Sequence, residues 1–302
     1  MSDSKRNRLV TRVLPHEDGL MVKEIIYGRL NLSRGMLRRM KQGGGVYLNG
    51  VRDFITRRVR TGDTIEVVFF DEPTALEPER IPLDIVYEDD FLIAVNKPAG
   101  IPVHPTGRYK DGTLANGLAY HFEKQGLETK VRLVHRLDKD TSGLILAAKE
   151  PYSLERLIKQ RAKGILQREY LAVAEGKVSD DAGIITFPIG RVGDGIHRGA
   201  TDDGRPARTE FQVLRRGGNW TLLRLALGTG RTHQIRVHMK AIGHPLVGDP
   251  LYGRPVQGLG RQALHAWCLR FAHPRTGAEV TLRVKLPDDI RILLKQENLL
   301  YV

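Results

Sequence analysis

VHRLDKDTSGLILAAK, residues 134 to 149, decides how this chain is read. A polar run holding Asp138 and Asp140 gives way at 144–148 to five consecutive apolar residues. An apolar run of that length, bounded by turn-forming residues, fits a buried strand. Two carboxylates therefore stand at the entrance of a core strand. DKDTSG opens like a calcium loop, but the twelfth position should be a bidentate Glu, and here it is Lys149, with LILAA in place of the intervening polar ligands. The calcium reading fails. A D-x-D phosphatase carries its first Asp at the end of an apolar strand, whereas VHRL precedes Asp138. A third reading has Asp138 acting alone, as a carboxylate at a sugar carbon, with a nearby cation to keep it ionised. A retaining glycosidase would need a second carboxylate about 5 Å away. In an extended run Asp138 and Asp140 project the same way, roughly 7 Å apart, so spacing leaves that question open.

Working outward, 302 residues with 41% hydrophobic and 27% charged side chains give an ordinary globular composition with ample core. The net charge of +13 points to a polyanionic partner, most often nucleic acid. A lone cysteine, Cys268, allows no internal disulfide and suits a reducing compartment. The first twenty residues lack the apolar core of a secretory signal, and no apolar run is long enough to span a bilayer. We expect a cytoplasmic, soluble monomer without membrane association.

Charge is unevenly distributed. Residues 1–70 carry 14 Lys and Arg against 7 Asp and Glu, while 71–90 carry 1 against 8, with three prolines. That shift predicts a small N-terminal unit over 1–70, an acidic linker over 71–84, and a larger unit over 85–302. In the first unit Ser33 is placed to cap a helix ending near Gly43. Arg34, Arg38 and Lys41 share one face of it, suited to phosphates, while Leu37 and Met40 can pack inward. VYLNG and GDTIEVVFF read as strands with turns. The larger unit has many short strands and few helices, which predicts an α+β fold around a mainly antiparallel sheet.

LGTGRTHQIRVHMKAIGHPLVGDPLYG, residues 227–253, is the second dense stretch. A helix starting at Thr232 and stopping at Gly243 would align His233, Arg236 and Lys240 on a basic face, with Arg231 at its Gly-rich entrance. A polyanion could dock there, or Arg236 could reach a carboxylate. His233, His238 and His244 lack metal-site spacing, and no phosphate-loop or dinucleotide fingerprint occurs. No metal or cofactor is expected.

HRLDKDTSGLIL strongly resembles the catalytic motif of the RluA-type pseudouridine synthases, H-R-L-D-x-x-T-S-G. NKPAGIPVHP, REYLAVAEG, GTGRTHQIRVHMKAIGHPLVGDPLYG and LHAWCLRFAHPRTG are similar to four further motifs of that family, in the same order, over about residues 85–288. SRGMLRRMKQGGGVYLNG with GDTIEV resembles the S-four-type RNA-binding module. Arg168 and Ala174 stand where the family usually has Lys and Val, and QGGG where a single Gly is usual. The resemblance implies isomerisation of uridine to pseudouridine in RNA. It implies Asp138 as catalytic carboxylate, Tyr170 stacked on the target base, and Arg236 paired with Asp138. His135, Arg136, Arg231 and His233 would hold the nucleotide, with Arg34, Arg38 and Lys41 on the RNA. Asp140 is then scaffold. The implied substrate is 23S-type ribosomal RNA or a pre-ribosomal particle. The alternatives are transfer RNA, a non-catalytic RNA-binding protein of the same fold, and a glycoside hydrolase needing a second carboxylate in its cleft.

Overall fold

A computed structural model describes residues 7–40, 43–70, 72–107, 109–193 and 197–300. Its N-terminal part comprises β1 (Arg8–Arg12), α1 (Val22–Tyr27), α2 (Arg34–Met40), β2 (Gly45–Leu48), β3 (Val51–Arg52) and β4 (Thr64–Val68). The strands form an antiparallel sheet in the order β1-β4-β2-β3. Asn49 and Gly50, both with positive φ, make the tight turn between β2 and β3. Ile65 and Val67 alternate inward onto Ile25, Ile26, Met36, Leu37 and Met40. Ser33 caps α2 as expected, its Oγ accepting from the Met36 N–H at 3.1 Å. Arg34 and Arg38 are exposed, while Lys41 lies outside the described residues.

The second part begins with β5 (Ile85–Glu88), β6 (Leu92–Lys97), α3 (Leu114–Lys124), β7 (Arg132–Leu133), β8 (Ser142–Ala148), α4 (Pro151–Ala162) and β9 (Gln167–Glu175). It continues through β10 (Ala182–Ile185), β11 (Ile189–Arg191), β12 (Arg198–Ala200), β13 (Thr209–Arg216), β14 (Trp220–Leu227), α5 (Gln234–Ala241), β15 (Leu264–Ala272), β16 (Glu279–Arg283) and α6 (Asp288–Gln296). A ten-stranded sheet runs β10-β13-β14-β9-β15-β8-β6-β5, with β16 on β15 and β7 on β8. Its one parallel pairing among the described residues is β15 with β8; the rest is antiparallel. This is the expected α+β architecture.

Strand β8 explains why residues 144–148 are continuously apolar. Ile145 and Ala147 face a core closed by α3 and α5, through Leu118, Phe122, Ile235 and Met239. Leu144, Leu146 and Ala148 face a second core closed by α4 through Leu157. Both faces of the strand are covered, so the period of two vanishes from the sequence. At its start Gly143 (φ +114°) lies so close to β15 that a Cβ there would sit 2.2 Å from the Ala266 carbonyl oxygen.

The acidic stretch is not a loose tether. Asn116 Nδ2 donates to the Glu77 carbonyl, the Glu79 carboxylate accepts from the Gly112 N–H, and Gly117 of α3 leaves room for Ile81. The N-terminal sheet is docked on α4. Tyr152 stacks on Phe69 at 5.7 Å, and the Arg275 guanidinium lies over the rings of Tyr152, Phe91 and Phe69. That guanidinium also pairs with buried Glu150 at 3.2 Å. Glu155 accepts from Ser33 N–H and Oγ.

Helix α5 begins two residues later than the sequence predicts. His233 sits just before it in the left-handed region (φ 57°, ψ 21°), so it is a junction residue rather than part of the helix. Gly243, also left-handed at +84°, follows the end of the helix as predicted. No helix among the described residues is long and apolar enough to cross a membrane.

Candidate active site

The loop between β7 and β8 carries Asp138 into a cleft of about 680 Å³. The loop is fastened residue by residue. Thr141 N–H bonds the Asp138 carbonyl, closing a turn. Lys97 Nζ, almost fully buried, donates to the carbonyls of Pro98, Ile101 and Lys139 at 2.7–2.9 Å. Burial pulls its pKa down to about 7, with Asp140 opposing. Arg261 Nη1 donates to the Asp140 carbonyl, Gln262 to Thr141 Oγ1, and His265 Nδ1 meets Ser142 Oγ at 2.9 Å. Asp140 is thus held through its main chain and is not among the residues that line the cleft.

Arg236 projects from α5 with both ends occupied. Its Nε and Nη2 each reach a carboxylate oxygen of Asp249 at 2.7 Å, and Nη1 reaches Asp138 Oδ2 at 3.3 Å. Burial opposes the guanidinium charge, but the Asp249 bonds outweigh it and the pKa is raised. A fixed cation thus faces the Asp138 carboxylate. Tyr170 on β9 is buried and lines the same cleft. Burial raises its phenol pKa against the pull of Arg168, with the charge of Asp138 adding to the rise, so the hydroxyl stays protonated at neutral pH.

The other predicted residues divide. Arg136 lines the cleft, exposed, and makes no hydrogen bond or ion pair among the described residues. Arg231 lines it too, its Nε on the Pro206 carbonyl. His135 is buried; burial, then Arg168 and Arg161, push its pKa down to about 3. It is therefore a neutral ring, its Nε2 accepting from the Leu146 N–H at 3.3 Å, and not a phosphate-binding cation. His233 bonds Tyr252 Oη, His238 meets Thr209 Oγ1, and His244 meets the Glu175 carbonyl, so the three histidines turn to different partners. Arg34 and Arg38 lie on the N-terminal part, along a separate groove of about 610 Å³ with Arg52 and Phe54.

Among the residues lining the cleft, Asp138 is the only acidic one, against Arg136, Arg161, Arg168, Arg231 and Arg236. Among these lining residues no second carboxylate accompanies it, as a glycosidase would need. An isolated carboxylate in a basic cleft suits a polyanionic substrate cleaved at a glycosidic carbon.

A family model described as RNA pseudouridylate synthase matches residues 91–241, which span β6 to α5 and include Asp138, Tyr170 and Arg236. The chain belongs to the RNA pseudouridylate synthase family. It is 40% identical to the RNA pseudouridine synthase YjbO of Bacillus subtilis over 92% of this chain and all of that one. It is 42% identical to the ribosomal large subunit pseudouridine synthase D of Nitrosomonas europaea, over 79% of this chain and 73% of that one. Human RNA pseudouridylate synthase domain containing 4 superposes with a TM-score of 0.58 at 25% identity, covering 71% of this chain and 92% of that one. As a pseudouridine synthase the enzyme isomerises uridine in RNA, breaking the bond from the sugar to nitrogen and remaking it to carbon 5.

Two residues of the site escaped the sequence reading. Asp249 and Tyr252 sit in GDPLYG, a stretch that reads as a turn. Tyr252 receives Arg236 at 5.0 Å and Lys240 at 5.6 Å over its ring. The signal available was an Asp–Tyr pair following a buried basic helix; nothing in the spacing marked it as the counterion.

Proposed function

We propose that Asp138 is the catalytic carboxylate and that the enzyme modifies large-subunit ribosomal RNA of the 23S type, free or in a pre-ribosomal particle. The observation that carries this is the lone carboxylate of Asp138 facing the Arg236 guanidinium at 3.3 Å in an otherwise basic cleft. Arg236 keeps Asp138 ionised and placed. Asp138 then either attacks the anomeric carbon or removes a ribose proton to give a glycal. The protonated Tyr170 ring stacks on the detached uracil and holds it while it turns. Arg136, Arg231 and His233 contact the extruded nucleotide, and His135 shapes the wall beside it. Extrusion of a paired base costs a few kcal/mol, offset by phosphate contacts across the basic surface.

Residues 1–70 act as an S-four-type RNA-binding module, through Arg34, Arg38 and Lys41, joined by 71–84 to the catalytic part at 85–302. The ribosomal substrate is supported by relatives named for the large subunit at 42% and 40% identity; transfer RNA is the alternative. The enzyme works as a cytoplasmic monomer. Carbodiimide mapping of pseudouridine in total RNA tests the reading, comparing wild type, a deletion strain, and the deletion rescued with Asp138→Asn. Marks absent from the deletion and not restored by Asp138→Asn identify the substrate and the catalyst together. Restoration by Asp138→Asn removes Asp138 from the mechanism.

A further inference from the structure

Tyr252 stands at the meeting point of three elements. Its hydroxyl accepts from the Arg198 N–H of β12 at 2.9 Å and lies 2.9 Å from His233 Nδ1. The buried phenol has one proton to give, and the His233 ring is the acceptor the structure provides. If Tyr252 donates to Nδ1, the ring proton of neutral His233 must sit on Nε2. Burial keeps the ring neutral: it depresses the pKa, with Asp138 pulling up and Arg236 pushing down. His233 lines the cleft that holds Asp138. Its Nε2 has no protein partner among the described residues and is not sealed from solvent.

We propose that His233 presents a neutral Nε2–H donor to the target nucleotide, and that Tyr252 is the positioning residue that sets this tautomer. The proposal rests on the reading of Asp138 as catalyst in the same cleft. The left-handed backbone at His233 supports it. That conformation disfavours most side chains, and it turns the ring off the end of α5 against Tyr252, at 5.7 Å between ring centroids in an edge contact. The polar partners of Tyr252 explain its hydroxyl. Its ring separately carries Arg236, so hydroxyl and ring have separable roles.

Two measurements test this. Nitrogen-15 NMR of the histidine side chains of the full-length protein should show His233 neutral with its proton on Nε2. In Tyr252→Phe, which keeps the ring under Arg236, that signature should be lost or mixed. A wild-type His233 protonated on Nδ1, or a signature unchanged in Tyr252→Phe, overturns the proposal. Kinetics use tritium release from [5-³H]uridine-labelled bulk RNA of a strain lacking the enzyme. Asn suits a left-handed backbone and mimics Nδ1 but offers nothing at the Nε2 position, whereas Gln places an N–H near Nε2. His233→Asn should lower kcat/KM by about tenfold, the value of one hydrogen bond, and His233→Gln should recover part of it. Equal losses in both variants, or no loss in His233→Asn, overturn it. Asp138→Ala is run alongside. If that variant still releases tritium, the catalytic reading of Asp138 fails on its own, and the NMR result still decides the tautomer.

Discussion

Arg236 gives its two shortest hydrogen bonds to Asp249, at 2.7 Å each, and meets Asp138 only at 3.3 Å. The fully buried carboxylate of Asp249 neutralises the cation, and the partly exposed one of Asp138 meets its remaining nitrogen. Arg236 is fixed independently of Asp138, since two of its three bonded nitrogens are anchored on Asp249.

Asp249→Ala is therefore expected to damage both stability and activity. It leaves a buried guanidinium facing Asp138 alone, and breaking such a pair from one side costs about 3–5 kcal/mol. Urea unfolding should register that loss, and tritium release should fall by more than Asp249→Asn produces, because Asn keeps the shape and one acceptor. Wild-type values for both variants would show that Asp249 does not hold Arg236 in place.

Gly143→Ala is expected to be more severe than its position beside the loop suggests. A Cβ would meet the Ala266 carbonyl oxygen at 2.2 Å and its nitrogen at 2.6 Å, on a backbone at φ +114°. Both atoms are backbone, so β8 or β15 must shift where the two halves of the sheet join. A loss of about 3 kcal/mol or more is expected from clash and strain together. A Gly143→Ala protein with an unchanged urea midpoint would refute the close approach.

These two positions mark the limits of what the sequence discloses. The strand at 144–148, the α+β class and the place of Asp138 at its entrance are legible, because apolar run length and turn residues act locally. The closure of α5 at Gly243 is legible for the same reason. The start of α5 is not: a left-handed His233 precedes it, and its ring partner, Tyr252, is nineteen residues away. Asp249 is equally silent, since which carboxylate neutralises Arg236 depends on how 245–253 folds back over α5. The burial of His135 and Lys97 within motifs that look polar follows from tertiary packing too.

Stability should fall between pH 6.5 and 5, above the range where carboxylates titrate. Burial holds His135 down to about 3 and His265 to about 4, and it also lowers His104, His233 and His238. Each binds a proton in the unfolded chain, below about 6.5, before it does so in the folded one. The unfolded state then carries more protons on these rings, so their contribution to stability is complete above that pH and is lost as pH drops towards the folded values. Each group contributes a slope of at most about 1.4 kcal/mol per pH unit. Urea midpoints at pH 7 and 5 should differ, and His135→Gln should narrow the difference. A flat profile in this window would mean that the rings take up protons in the fold as readily as in the unfolded chain.

The groove on the N-terminal part yields a prediction about RNA that is separable from catalysis. Arg34, Arg38, Arg52 and Phe54 line it, and Phe54 is 80% exposed although nothing in the core requires an aromatic there. A guanidinium row beside a free ring suits phosphates flanking an unpaired base, which stacks on the ring. Arg34→Ala with Arg38→Ala should weaken binding to 23S-type RNA and flatten its salt dependence by roughly 0.7–0.9 for each phosphate no longer neutralised. Phe54→Ala should weaken binding by about 1–3 kcal/mol at every salt concentration without changing the slope, because stacking releases no counterions. Filter binding over about 50–300 mM salt separates the two. The N-terminal part is docked on α4 through Arg275 and Glu155, so these losses should appear in KM with kcat nearly unchanged. If Phe54→Ala changes the slope, or if the double arginine variant lowers kcat alone, the groove is not where the RNA is held.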